Sequence, residues 1–215
     1  MNSPIKRNWI MPLTIVVMLV VSAVLYPTLP ENVPTRWSFS GEVVATQPRL
    51  VAVLLLPALA VFIWGFTAVL PSIDPRRESY ETFEPSYLRV RIAIVVFLGG
   101  LHVLMLTQYD NPDIMLKIVF FAIALLMAII GNEMGRFRQT WFIGIRTPWT
   151  LSDERVWKRV HRVGARYVVG VSIINMVIVI VAPMPFAGIA TTISLVGVML
   201  GITLYSYIVY RRLNG

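Results

Sequence analysis

The chain has 215 residues, 57% of them hydrophobic and only 14% charged, with a mean hydropathy of +0.72. A soluble domain carries roughly a quarter charged residues, and here the apolar residues come in long blocks, so the chain reads as an integral membrane protein. The absence of Cys excludes disulfides, thiolate metal sites and thiol nucleophiles. The formal charge of +8 is concentrated beside apolar runs, where membrane topology places it, and does not point to direct nucleic-acid binding.

In chain order, six apolar runs are long enough to span a bilayer or nearly so: residues 9–26, 50–70, 92–107, 114–130, 167–182 and 186–210. The expected fold is an all-α integral membrane protein of six transmembrane helices, forming a single membrane domain over residues 1–215. Lys6 and Arg7 precede the first run, whose length and lack of a small-x-small cleavage site favour a retained anchor over a removed leader. The loop 27–49 carries Pro27, Pro30 and Pro34, each restricting its own φ and its predecessor, and reads as an ordered, extended cap on the outer face. Within it, Arg36 and Trp37 are candidates for binding at that face. The connector 71–85 mixes both charge signs and reads as solvated. His102 and Asn175 fall mid-span, where interhelical hydrogen bonding is the default. Gly99-Gly100, Gly188, Gly197 and Gly201 read as points of close helix packing.

Residues 131–166 form a long basic segment between the fourth and fifth runs. Together with Lys6, Arg7, Arg76, Arg77, Arg89, Arg91, Arg211 and Arg212, its cations put sixteen of the nineteen Lys and Arg on one side. Only Arg36, Arg49 and Lys117 fall on the other. The positive-inside rule therefore places both termini and this segment in the cytoplasm.

Pro148 biases Thr147 towards extended backbone, so the segment around Arg146 and Trp149 should be a defined turn. Thr150 or Ser152 can cap a following helix, with Asp153 and Glu154 in its first turn. Beyond them Val156, Val160, Val163 and Tyr167, joined by Trp157, share one stripe, and Arg155, Arg159, Arg162 and Arg166 share the next. That spacing predicts an amphipathic cytoplasmic helix on the inner leaflet between spans four and five. Its Arg stripe is a candidate docking face for lipid or a partner. Arg146, alone in an uncharged run, calls for a specific partner, such as the carboxylate of Glu133 or Asp153. Asn132 and Glu133 end the fourth span, where a half-buried carboxylate must be paired or protonated. A salt bridge into the basic segment is the simpler role, and a transporter's proton or cation site the alternative.

No catalytic pattern is present. There is no His-Glu-x-x-His, phosphate loop or Gly-x-Ser-x-Gly, and His161 near Asp153 and Glu154 lacks the second strong ligand a metal needs. The expectation is a non-enzyme with no cofactor and no metal.

The run Gly131-Asn132, then Phe142-Ile-Gly144-Ile-Arg146-Thr147-Pro148-Trp149-Thr150-Leu151, then Val156-Trp157 resembles the signature of the SdpI family of bacterial multi-span membrane proteins. Thr140 and His161 depart from its pattern, where Asn is usual. The stretch Leu29-Pro-Glu-Asn-Val-Pro34 through Gly41 resembles a small region of unknown function found near the start of such proteins. The resemblance implies an immunity protein of the bacterial plasma membrane, resisting a secreted membrane-active peptide toxin and capturing a cytosolic winged-helix repressor. Under it, Asn132, Glu133, Gly144, Arg146, Thr147, Pro148, Trp149 and Trp157 are the candidate functional residues. A small transporter or exporter, and a non-catalytic accessory subunit, are the competing readings.

Overall fold

The computed structural model describes residues 8–214, so Lys6 and Arg7 lie outside the described residues. The chain runs α1 (Ile10–Leu25), a short 3-10 turn, β1 (Asn32–Trp37), β2 (Val43–Pro48), α2 (Arg49–Ile73), α3 (Glu78–Thr107), α4 (Pro112–Met134), α5 (Pro148–Ser152), α6 (Glu154–Val181) and α7 (Phe186–Asn214). Among the described residues six helices are long and apolar enough to cross a membrane, all but the five-residue α5, with α1 reaching that length through the 3-10 turn to Thr28. Helix α3 is the central one. Half of its apolar window is enclosed by protein, against 22% for α1, α2, α4 and α7. It joins α1 and α2 on one side to α4 on the other, and α4 then packs on α6 and α6 on α7.

Two prolines interrupt α2, and each releases a carbonyl that a neighbouring helix then satisfies. Pro57 cannot donate to Val53 O; Ser22 Oγ of α1 donates to it at 2.8 Å. With that proton committed, His102 Nε2 of α3 is the donor in the 2.8 Å contact to Ser22. Pro71 likewise frees Thr67 O, which accepts from the Tyr87 hydroxyl. Arg91, 1% exposed, donates to Thr67 Oγ1 at 2.9 Å and Trp64 O at 3.1 Å across the same break. The expected interhelical bond of Asn175 is also present, its Oδ1 accepting from Ser194 Oγ at 2.9 Å.

The loop 27–49 is ordered and extended as expected, and it contains an antiparallel hairpin that the all-α expectation did not include. Asn32 opposes Pro48 and Trp37 opposes Val43, with register shifts on either side of Arg36. Val33 is fully buried against Leu29, Val53, Leu106 and Met115, anchoring the base of the hairpin. Its tip reaches the opposite half of the molecule. Phe39 stacks near Phe120 of α4, and a Cβ on Gly188 of α7 would lie 2.8 Å from the Phe39 ring. Gly99 is similarly tight, 2.6 Å from Thr14, whereas Gly100, Gly197 and Gly201 face open space and do not mark close packing.

Three other expectations need correction. Helix α3 begins at Glu78 rather than 92, with a kink at Phe83, and the connector 71–85 is solvated only in part: Asp74, Tyr80 and Phe83 are 2–3% exposed among exposed neighbours. Tyr80, Phe83 and Tyr87 gather around the kink at Phe83 and share one core with Phe137 and Trp157. The amphipathic helix and the fifth span are one continuous helix, α6. Val156, Trp157 and Val160 are buried in the protein core rather than in lipid headgroups, while Tyr167 is 62% exposed.

Candidate functional site

The segment between α4 and α6 is built around Trp157. The indole is fully buried, and its Nε1–H donates to Phe137 O at 2.9 Å. His161, one turn on, stacks against it at 3.9 Å between ring centroids. The His161 ring has both nitrogens engaged. Nε2 accepts from the Ile145 amide and Nδ1 donates to Trp157 O, each at 2.9 Å, which fixes one neutral tautomer. Gly144 passes directly over this pair with φ +105°. A Cβ there would lie 2.5 Å from His161 Nε2 and 2.8 Å from the indole, so both the backbone conformation and the space demand glycine.

After that crossing, the chain turns into α5 through a capping box. Thr147 is the N-cap, Pro148 the first helical residue, and Thr147 Oγ1 and Thr150 Oγ1 each accept a backbone amide from the other residue's position. Thr150 Oγ1 also donates to Ile145 O at 2.7 Å, and Thr147 Oγ1 meets Ser206 Oγ of α7 at 3.0 Å. Trp149 packs on Tyr207, also of α7, at 5.1 Å. Gln139 donates to both Thr150 O and Leu151 O, closing the turn from the other side. Thr140 is fully buried, its hydroxyl donating to Ile143 O at 2.9 Å.

Arg146 is exposed, and its partner is the Trp141 carbonyl at 2.7 Å, not Glu133 or Asp153 as the sequence suggested. A lone Arg finds a carbonyl here because the Gly144 turn brings the 141 backbone within reach. Glu133 instead takes a bidentate bond from Arg89 Nε and Nη2, both 2.8 Å, and a third from Arg136 Nη1 at 3.1 Å. Its side chain is 6% exposed, so the carboxylate is buried and doubly compensated. Asn132 stands beside it, exposed, with its amide 3.4 Å from Glu133 Oε1.

Sequence reasoning missed Asp74. Its carboxylate accepts from Tyr80 OH at 2.9 Å, the Trp141 amide at 3.0 Å and the Arg76 amide at 2.8 Å, tying the start of α3 to the turn. The aromatic residues after it, Tyr80, Phe83 and Tyr87, were the available signal that part of this connector packs inward. Asp153 caps α6 through the Arg155 amide and holds the Arg155 guanidinium at 2.8 Å. That hydrogen bond, above all, pulls the Asp153 carboxyl down to about 2.

Arg155, Arg159, Arg162 and Arg166 all lie exposed along α6. Arg155 is engaged by Asp153 and Asn214; the other three form no ion pair among the described residues. On the opposite face of the molecule Arg36 is exposed, while Trp37 is half-buried against the hairpin's core. Val43 and Val44 on β2 are more than half exposed, so the outer strand presents both apolar side chains and an unpaired edge. Among the described residues no three His, Asp or Glu come together in a ligand cluster.

Six apolar helices of spanning length, joined by short built segments, define a multi-pass integral membrane protein. Residues 136–210, which contain the Gly144–Leu151 string, match the model of the SdpI/YfhL protein family. Residues 13–61 match a domain of unknown function (DUF1648), enclosing the outer loop. Both resemblances read from the sequence are thereby borne out. The chain is 27% identical over 210 residues to immunity protein SdpI of Bacillus subtilis (strain 168), covering 98% of this chain and 99% of that protein. No solved structure matches the chain.

Proposed function

We propose that this is an immunity protein of the bacterial plasma membrane, which protects its cell from a secreted membrane-active peptide by binding rather than turnover. One observation carries the reading: the likeness to immunity protein SdpI runs from end to end of both chains, hairpin and turn included. Both termini and the 131–166 segment lie in the cytoplasm on this reading, supported by the positive-inside imbalance. The hairpin then faces the exterior, where Arg36 and the β2 edge are the first surface an arriving peptide meets. Extended peptides add to free sheet edges through main-chain hydrogen bonds, and β2 offers Val43–Thr46 without a charge or a proline to blunt it.

On the cytoplasmic side, Arg159, Arg162 and Arg166 form a cationic column suited to an acidic face of a cytosolic repressor. The transporter alternative draws no support from Glu133, whose carboxylate is already held by two guanidinium groups. The test is survival. Expression in a strain sensitive to the cognate peptide should restore growth, and unchanged killing at full membrane abundance would overturn the proposal. Neutralising Arg159, Arg162 and Arg166 together should abolish co-purification of the repressor while leaving peptide resistance intact.

A further inference from the structure

The Glu133 cluster has an exposed outward side, where Arg89 also donates to Ser86 Oγ at 3.2 Å and Arg136 to Asn132 O at 3.1 Å. Arg89 and Arg136 both grip one carboxylate, so their guanidinium groups are held close together with a net charge of +1. Their side chains are 49% and 56% exposed, and each keeps N–H donors that Glu133 does not take. Along α4, Ile118, Leu125 and Ile129 are exposed at i, i+7 and i+11 and the same helical face continues to Asn132, while Arg136, just past the helix end, folds back onto Asn132 O. An apolar stripe therefore runs down the helix and ends in an amide and a paired guanidinium at the membrane boundary.

We propose that this is a binding site for an anionic phospholipid, with acyl chains along Ile118, Leu125 and Ile129 and the headgroup phosphodiester on Asn132, Arg136 and Arg89. A single negative charge matches the cluster's residual positive charge. The forked guanidinium donors suit phosphate oxygens, and the adjoining stripe supplies the apolar contact that a free anion or a soluble acidic segment has no use for. Basic pockets at helix ends are where charged lipid headgroups settle. Glu133 orients the two arginines and keeps them from repelling each other, so it acts as a positioning residue for the site.

The purified protein in mild detergent, titrated with phosphatidylglycerol or phosphatidylcholine and read by native mass spectrometry, tests this. Wild type should bind phosphatidylglycerol at least tenfold more tightly than phosphatidylcholine, and millimolar inorganic phosphate should not displace it. Arg136→Gln leaves the Arg89–Glu133 pair in place and should weaken phosphatidylglycerol about tenfold. Asn132→Leu should weaken it severalfold, and Arg211→Gln, an equal charge loss elsewhere, should leave it unchanged. Unaltered binding in both Arg136→Gln and Asn132→Leu, an equal loss in Arg211→Gln, or displacement by phosphate alone would overturn the proposal.

Discussion

The turn at Gly144–Thr150 and the hairpin at Asn32–Pro48 are both ordered non-membrane segments, and they are built in opposite ways. In the turn, the two threonines look inward while Arg146 and Pro148 stay exposed. Thr147, Thr150, Gln139 and His161 are committed to backbone groups, Gly144 has no room for a methyl group, and Trp157 fills the space beneath. The hairpin buries only its base, through Val33, touches α4 at its tip through the exposed Phe39, and exposes most of β2. The Gly144–Leu151 string can therefore mark the scaffold, while the contact surface proposed above lies in the less distinctive sequence of the hairpin. The chemistry of the turn is spent on holding it against α6 and α7.

Substitutions separate the two regions. Trp157→Ala should cost about 3–5 kcal/mol, the range for removing a buried Trp side chain, and Gly144→Ala should be comparably damaging. Both should show as loss of folded protein in fluorescence size-exclusion profiles. Asp74→Ala should follow at about 2–3 kcal/mol, since it strands the Trp141 amide and the Tyr80 hydroxyl in a buried site, read as a lowered Tm in detergent. Thr147→Ala removes the cap of α5 and should cost about 1 kcal/mol.

Arg36→Ala and Val44→Lys on the exposed hairpin should move stability by no more than about 0.5 kcal/mol. The smallest effect is a pH dependence. Because the folded state holds the Asp153 carboxyl at about 2, below its ordinary 3.8, its contribution is present above the ordinary value and is lost as pH falls through about 2. The Tm difference between wild type and Asp153→Asn should accordingly vanish over that window.

The six spans were legible because lipid-facing helices need unbroken apolar blocks, and no other environment produces them at that length. The site was less so. The stripe of Val156, Trp157 and Val160 has the same spacing whether it meets headgroups or protein, so periodicity could not tell a surface helix from the start of α6. The charges between Pro71 and Pro85 masked Tyr80 and Phe83, which with Tyr87 anchor the connector to the core. Arg146 invited a carboxylate partner because sequence displays charged residues and hides carbonyls; a positive-φ glycine two positions earlier supplied the carbonyl. The hairpin escaped notice because its prolines spoke for irregular chain, although Val43, Val44 and Thr46 are the β-branched run of a strand.

The division of labour between scaffold and contact surface is tested most directly by survival against the peptide, divided by the amount of folded protein in the membrane. For Thr147→Ala and Arg146→Gln that ratio should equal the wild-type value, and for Arg36→Ala combined with Val44→Lys it should fall at least tenfold. A full wild-type ratio in the hairpin variant, or a collapsed ratio in the turn variants at normal abundance, would contradict the account.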